Sequence, residues 1–278
     1  MKYGLKLSQN ASLDTFRTVW KIADDSGFDH CWNMDHFATL GDDGTGPIFD
    51  AWTMLAAMAE VTSHVRIGCM VTGNTYRHPG VLAKQAVTVD HLSGGRLEFG
   101  LGSAWAEREH TMLGLEFGTA GQRLDRLEEA CQVIRSLWTE AETSHAGAHY
   151  QLDSAVAEPK PVQQPYPPIW IGGSGRKRTL RITAEYADVW NAAGGSPDEI
   201  AELSGVLDRH CADVGRDPGE IRRTIQLRIS DDDDDALLSK VESYAGVVTE
   251  IILIVRPGMA EADAERLGTL LSRLRSIG

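Results

Sequence analysis

"VRIGCMVTGNTYRHPGVLAKQAVTVDHLSGGRLEFGLG" (residues 65–102) carries one complete strand–helix–strand unit. Ile67, Cys69 and Val71 alternate as in a buried strand, which extends over 65–73. The chain then turns polar and aromatic through Thr72, Asn74, Tyr76, Arg77 and His78. Pro79 opens a helix, where its missing N–H costs nothing, and "RLEFGLG" (96–102) is the next strand. A strand that leaves the core in a cluster of hydrogen-bonding side chains, just before a helix, is built to present those side chains.

Working outward, the same alternation runs to both ends. "YGLKLS" (3–8) and "DHCWNMD" (29–35) are the first two strands, separated by a helix with Leu13, Phe16, Trp20 and Ala23 at three-and-four spacing and ended by Gly27. Trp52, Leu55, Ala56 and Ala59 mark the second helix, and Leu124, Leu127, Cys131, Ile134 and Trp138 stripe a long one after the fourth strand. Residues 141–167 break the rhythm: five prolines fall between 159 and 168, as suits an insertion made of a hairpin and an extended crossing. Strands resume at "PPIWIGG" (167–173), "DVWNA" (188–192), "RTIQLRIS" (223–230) and "TEIILIV" (249–255), each followed by a helical pattern, the first from about Arg176. Eight strands in alternation with about eight helices predict an α/β fold, a (β/α)8 TIM barrel forming one domain over 1–278 with the insertion at about 141–167. "GLGSAW" lacks the third glycine of a dinucleotide fingerprint, so a doubly wound alternative is weak.

A formal charge of −13 and a pI near 5.1 leave no basic face for nucleic acid. No run approaches the roughly 18 apolar residues of a membrane span, and the first residues have no signal-like segment. Cys31, Cys69, Cys131 and Cys211 are scattered without paired spacing, as expected for free thiols in a cytoplasmic protein.

In a barrel the ligand sits at the C-terminal ends of the strands. Those ends carry Asp35, His36 and Phe37; the 72–79 cluster; Ser103 and Trp105; and "GGSGRKRT". In the last, Gly172, Gly173, Ser174 and Gly175 let backbone N–H groups approach an anion at a helix start, with Arg176, Lys177 and Arg178 adding charge; a tight turn with solvated cations would look the same. His36 beside Asp35 suits a general acid or base, or a hydrogen-bonded structural histidine. Arg77 and His78 could simply pin the loop. Trp105 and Trp190 could be pocket walls or ordinary packing. His145 and His149 have metal-pair spacing only on a helix, which Gly147 argues against, so no metal site is expected. "DDDDD" (231–235) reads as a solvated acidic loop sooner than a cation site.

The motifs "MDHF" (34–37), "VTGNTYRHPGVLAKQAVTVDHLSGGRLEFGLGSAW" (71–105) and "PPIWIGGSGRKRTLRITAEYADVWN" (167–191) resemble those of the luciferase-like monooxygenase superfamily, in its coenzyme F420 (deazaflavin)-dependent oxidoreductase branch, over essentially the whole chain. The resemblance implies a TIM barrel, a homodimer, and hydride transfer between reduced deazaflavin and an organic substrate, without a metal; the three motifs, with Trp105 and Trp190 near the mouth, point to a small, mostly apolar or aromatic substrate. It places Asp35 and His36 near the ring, with His36 a proton donor or acceptor. Met70 and Val71 would flank a bulge supporting the ring, often joined by a cis peptide, and Thr72 and Asn74 would hydrogen-bond it. Trp105 would help wall the pocket, Gly172, Gly173, Ser174 and Gly175 would hold the phosphate, and Arg176 and Lys177 would meet the acidic tail. Two positions depart from the pattern. Leu40 stands where a second aromatic wall is common, and Trp105 appears where sugar-phosphate dehydrogenases place an acid, which argues against that reaction. An FMN-dependent monooxygenase and a cofactor-less binding protein are the alternatives on the same barrel.

Overall fold

The computed structural model describes residues 1–7, 10–40, 46–230 and 233–277. Eight parallel staves close into a barrel. In chain order they are β1 (Lys2–Lys6), β2 (His30–Asn33), β3 (Arg66–Cys69) continued by β4 (Thr72–Gly73), then β5 (Leu97–Gly102); after the hairpin β6 (Thr143–Ala146) and β7 (Gln151–Ala155) come β8 (Ile169–Gly172), β9 (Val189–Ala192), β10 (Arg222–Arg228) and β11 (Glu250–Ile254). Each stave pairs with its neighbours in parallel; β1 lies between β2 and β11, and β3 pairing with β5 completes the ring.

The helices α1 (Leu13–Ser26), α2 (Ala51–Val61), α3 (Pro79–Leu92), α4 (Glu107–Leu113), α5 (Ala120–Thr139), α6 (Thr179–Tyr186), α7 (Pro197–Asp213), α8 (Asp234–Glu242) and α9 (Ala260–Arg275) follow the staves. Their ends are written in the sequence. Ser12 caps α1 and Gly27 leaves it in the left-handed conformation, while Thr119 and Ser196 each open a helix with a reciprocal capping box. α6 begins at Thr179, three residues later than expected, so Arg176 and Lys177 precede it. The outer core lies between staves and helices, where Trp20, Leu55, Phe99, Ile134 and Trp138 are buried. Trp190, one of the two candidate pocket walls, belongs to this core, and its indole N–H donates to the Gly173 carbonyl at 2.8 Å.

Inside the barrel a second, smaller apolar layer contains Trp32, Met70, Trp170, Val189 and Ile252. It fits because the positions around it carry no side chain. A Cβ on Gly68 would stand 2.3 Å from the Trp32 ring, and one on Gly4 2.7 Å from Ile252. Higher up, Cβ atoms on Gly102 and Gly172 would each lie 2.8 Å from Val71, and one on Gly100 2.1 Å from the Cys69 carbonyl. The last three clear the space into which the third stave bulges at Met70 and Val71, whose peptide bond is cis, as the resemblance implies. The glycines of "RLEFGLG" therefore serve close backbone approach.

The insertion contains the expected hairpin, β6 against β7. Its turn is pinned to α5 by the Glu129 carboxylate, which accepts from the N–H groups of Ala148, His149 and Tyr150 at 2.9–3.2 Å. His145 lies beside the same carboxylate, and among the described residues no three His, Cys, Asp or Glu side chains gather as metal ligands would. Of the acidic run, Asp231 and Asp232 lie outside the described residues. Asp233 caps α8, and Asp234 and Asp235 pair with Arg266 and Arg273, so these three have structural roles.

Candidate active site

A cavity of about 540 Å³ opens at the C-terminal ends of the staves. The bulge of Met70, Val71, Thr72 and Gly73 forms one wall, with Asp35 enclosed beside it; Gly172, Gly173 and Asn191 form another; His36, Leu40, Tyr76 and Trp105 surround the mouth.

His36, 14% exposed, is held from behind. Its Nδ1 lies 3.1 Å from both carboxylate oxygens of Glu109 on α4. A carboxylate only accepts, so Nδ1 carries the proton and donates, and Nε2 is the nitrogen without a partner among the described residues. Glu109 is buried and also accepts from the N–H groups of Phe37 and Ala38, both at 3.0 Å, and from the Tyr76 hydroxyl. Burial raises the Glu109 carboxyl, but the hydrogen bonds from His36 and Tyr76 outweigh it and hold its pKa below the ordinary carboxylate value. The Tyr76 phenol is pushed up by burial and by that carboxylate. The Trp105 ring stands edge-on to His36, with centroids 5.5 Å apart, and is 65% exposed.

Asp35 is fully enclosed at the foot of the same wall. Oδ2 accepts from Arg77 at 2.6 Å and from the Gly73 N–H at 3.1 Å; Oδ1 is buried with no partner among the described residues. Burial raises its carboxyl above the usual value, with Arg77 opposing. Arg77 extends the network to Asp50, also at 2.6 Å, so the arginine pins more than its own loop.

The remaining expected residues divide. Met70, Val71, Thr72, Gly172 and Gly173 border the cavity, although the Thr72 hydroxyl also accepts from the Trp52 indole at 3.2 Å. Asn74 is buried outside the cavity wall, and its amide donates to Tyr150 of the insertion at 3.3 Å. Ser174, Gly175, Arg176 and Lys177 are exposed beyond the rim. Arg176 is engaged by Glu202 in two bonds of 2.7 and 2.8 Å, and Arg178 pairs with Asp125 at 2.7 Å, so this basic run is largely neutralised by neighbouring helices.

Glu109, buried behind His36, and Lys6, on the cavity wall, are groups that sequence reading passes over, and Tyr76 is displayed in the polar cluster without a role. α4 has only seven residues, and its partner His36 lies 73 positions away. The one available signal is the acid in "AEREH", which follows Trp105 by four residues.

A family model described as luciferase-like monooxygenase matches residues 2–275. This chain belongs to that family. Among luciferase-like relatives, an F420-dependent glucose-6-phosphate dehydrogenase from Microbacterium testaceum (strain StLB037) is 32% identical over 81% of this chain and 66% of its own length. The pyrimidine monooxygenase RutA of Stutzerimonas stutzeri (strain A1501) is 29% identical over 94% of this chain and 75% of its own. In structure, this luciferase-like chain superimposes on an F420-dependent secondary alcohol dehydrogenase solved with an F420–acetone adduct. The TM-score is 0.88, with 18% identity and 99% of each chain covered.

Proposed function

We propose that this chain is an F420-dependent oxidoreductase that transfers a hydride between reduced deazaflavin and a small organic substrate. The reading is carried by its 32% identity to an F420-dependent dehydrogenase across four-fifths of the chain. The residues present fit a flat heterocycle: the bulge offers an apolar face cleared by three glycines, and Asp35 Oδ1 is a buried acceptor in the wall with no donor among the described residues.

When bound, F420 supplies or accepts the hydride at its ring. Met70 and Val71 would support the ring, Asp35 and Thr72 would fix its polar edge, and Gly172 and Gly173 would admit its side arm. Ser174, Gly175, Arg176 and Lys177 lie where the phosphate and acidic tail would leave the cavity, and Arg176 would have to exchange Glu202 for it. Asn74 acts at one remove, by holding Tyr150. His36 is the proton donor or acceptor at Nε2, because Glu109 fixes Nδ1 as the protonated nitrogen. Trp105 excludes water from the mouth. The rigid hold on His36 is what general acid–base catalysis requires of its imidazole.

The four cysteines are buried and unpaired, in keeping with a cytoplasmic enzyme. No helix among the described residues is long and apolar enough to cross a membrane. Exposed Met112 and Leu113 on α4 suit a homodimer contact.

An FMN-dependent monooxygenase is the second reading, favoured by the RutA relative. Titrating the protein with F420 and with FMN separates the two: F420 binding with substrate turnover under strict anaerobiosis is expected, and FMN binding alone with oxygen consumption would replace the first reading by the second.

A further inference from the structure

We infer that the β10–β11–β1 side of the cavity binds an anionic oxygen group of the substrate, a carboxylate or a phosphate, through Lys6 and Arg228. This deepens the oxidoreductase reading by naming the end of the substrate remote from the reacting bond, and it rests on that reading for the word substrate.

The placement follows from register. Lys6 ends β1 and Arg228 ends β10, and both are in register with Ile254 of β11. In-register residues of adjacent parallel strands project to the same side, and all three border the cavity. Neither cation is in an ion pair among the described residues, in a chain whose formal charge is −13, whereas Arg77, behind the cavity wall, is paired with Asp35 and Asp50.

Lys6 is also oriented. Its Nζ donates to Gln226 Oε1 at 2.6 Å; Gln226 Nε2 donates to Asn191 Oδ1 at 2.7 Å; Asn191 Nδ2 donates to Thr224 Oγ1 at 2.8 Å; and that hydroxyl donates to the Trp190 carbonyl at 3.0 Å. Every donor in the chain points the same way, so Gln226 turns its oxygen to the lysine. The ammonium, with three donors, keeps two for a ligand. Burial lowers the Lys6 pKa to about 8, opposed in part by Cys69, with the Arg228 charge a lesser contribution in the same direction as burial. A desolvated cation without a counter-charge is costly, and an anion placed beside it relieves that cost. The Trp105 ring at the mouth suits an aromatic body attached to such a group.

The test is calorimetric titration of the full-length protein, with and without saturating F420, using benzoate, phenyl phosphate and benzyl alcohol as probes. At least one anion is expected to bind about tenfold or more tighter than the alcohol, the scale of a charge-assisted hydrogen bond, and which anion prevails distinguishes carboxylate from phosphate. Lys6→Met should abolish the preference, and Arg228→Gln, at the exposed rim, should weaken it several-fold; the second variant decides if the first fails to fold. Equal binding of all three probes overturns the proposal, as does an anion preference that survives Arg228→Gln and a folded Lys6→Met. Loss of F420 affinity in Lys6→Met with probe discrimination intact also overturns it, by assigning Lys6 to the cofactor. An anion preference in protein that takes up no F420 would support this site while refuting the cofactor reading, so the two can fail separately.

Discussion

The two ends of the barrel interior both bury charge, and they do so to opposite purposes. At the N-terminal end, Glu98 accepts from Arg66, from the Trp170 indole and from Arg222 at 3.5 Å, while Glu250 pairs with Arg222. The Arg222 guanidinium also lies over the Trp170 ring, 5.3 Å from its centroid. His30 sits between the two acids, 3.9 Å from Glu98 and 3.5 Å from Glu250. The arginines and acids there pair with one another away from the cavity described above, while Glu250 Oε2 and both His30 nitrogens lack a hydrogen-bond partner among the described residues. At the C-terminal end, Asp35 Oδ1 and His36 Nε2 have no partner among the described residues, Lys6 Nζ has only Gln226, and all three residues border the cavity. Buried charge paired away from a cavity holds a fold together, and buried polar groups that border one are available to a ligand.

If the two ends differ in this way, substitutions should separate stability from activity. The largest effect is expected at the lower end. Glu98→Ala removes the acceptor shared by Arg66, Arg222 and the Trp170 indole and should cost about 3 kcal/mol of folding stability, the low end for a broken buried pair because both arginines reach solvent. Denaturant unfolding measures it, and F420 affinity of the folded fraction should be unchanged. At the upper end Glu109→Gln should leave the protein folded and lower kcat by about 100-fold, the scale of a positioned acid–base group. The same carboxylate gives the wild type an acid limit. Its folded pKa is depressed, so its hold on His36 is complete at neutral pH and is lost only as pH falls below the ordinary carboxylate range; kcat against pH reports this. A loss of stability with Glu109→Gln as large as with Glu98→Ala would erase the distinction.

His30 sharpens the comparison more gently. Burial, then Arg222, Lys2 and Arg66, lowers its pKa well below the ordinary value, and the neighbouring acids are already engaged by arginines. The unfolded chain therefore binds a proton that the folded protein refuses, and stability should fall as pH drops below about 6.5, by at most about 1.4 kcal/mol per unit. Melting temperature between pH 7 and 5.5 should be flatter in His30→Gln than in the wild type. The smallest effect belongs to Arg176→Ala, where an exposed charge already shared with Glu202 is removed. F420 affinity should weaken by no more than a few-fold, and a large loss would move the cofactor's acidic tail firmly onto this loop.

Much of this was legible before any coordinates. Alternation at 65–102 and its repetition lead to eight staves, because parallel strands buried on both faces must be apolar and must be joined by helices. The strand ends then locate the cavity. What is not legible comes from contacts between distant residues. The sequence displays Arg176 and Arg178 as a basic run, but only the fold brings Glu202 and Asp125 against them. It displays Asn74 in a polar cluster, but its burial under Tyr150 depends on where the insertion docks. Lys6 reads as one more residue of a strand until β10 delivers Arg228 and Gln226 to its side.

The inward glycines also limit how this barrel can change. Gly4, Gly68, Gly100, Gly102 and Gly172 stand where anything larger than hydrogen collides with a tryptophan, with the bulge or with another inward side chain. New substrate preferences cannot be carved from the barrel wall without dismantling it. They must be composed at the strand tips, and a library restricted to Lys6, Leu40, Ser103, Trp105 and Arg228 would sample side chains that border the cavity while leaving the scaffold's closest packing untouched.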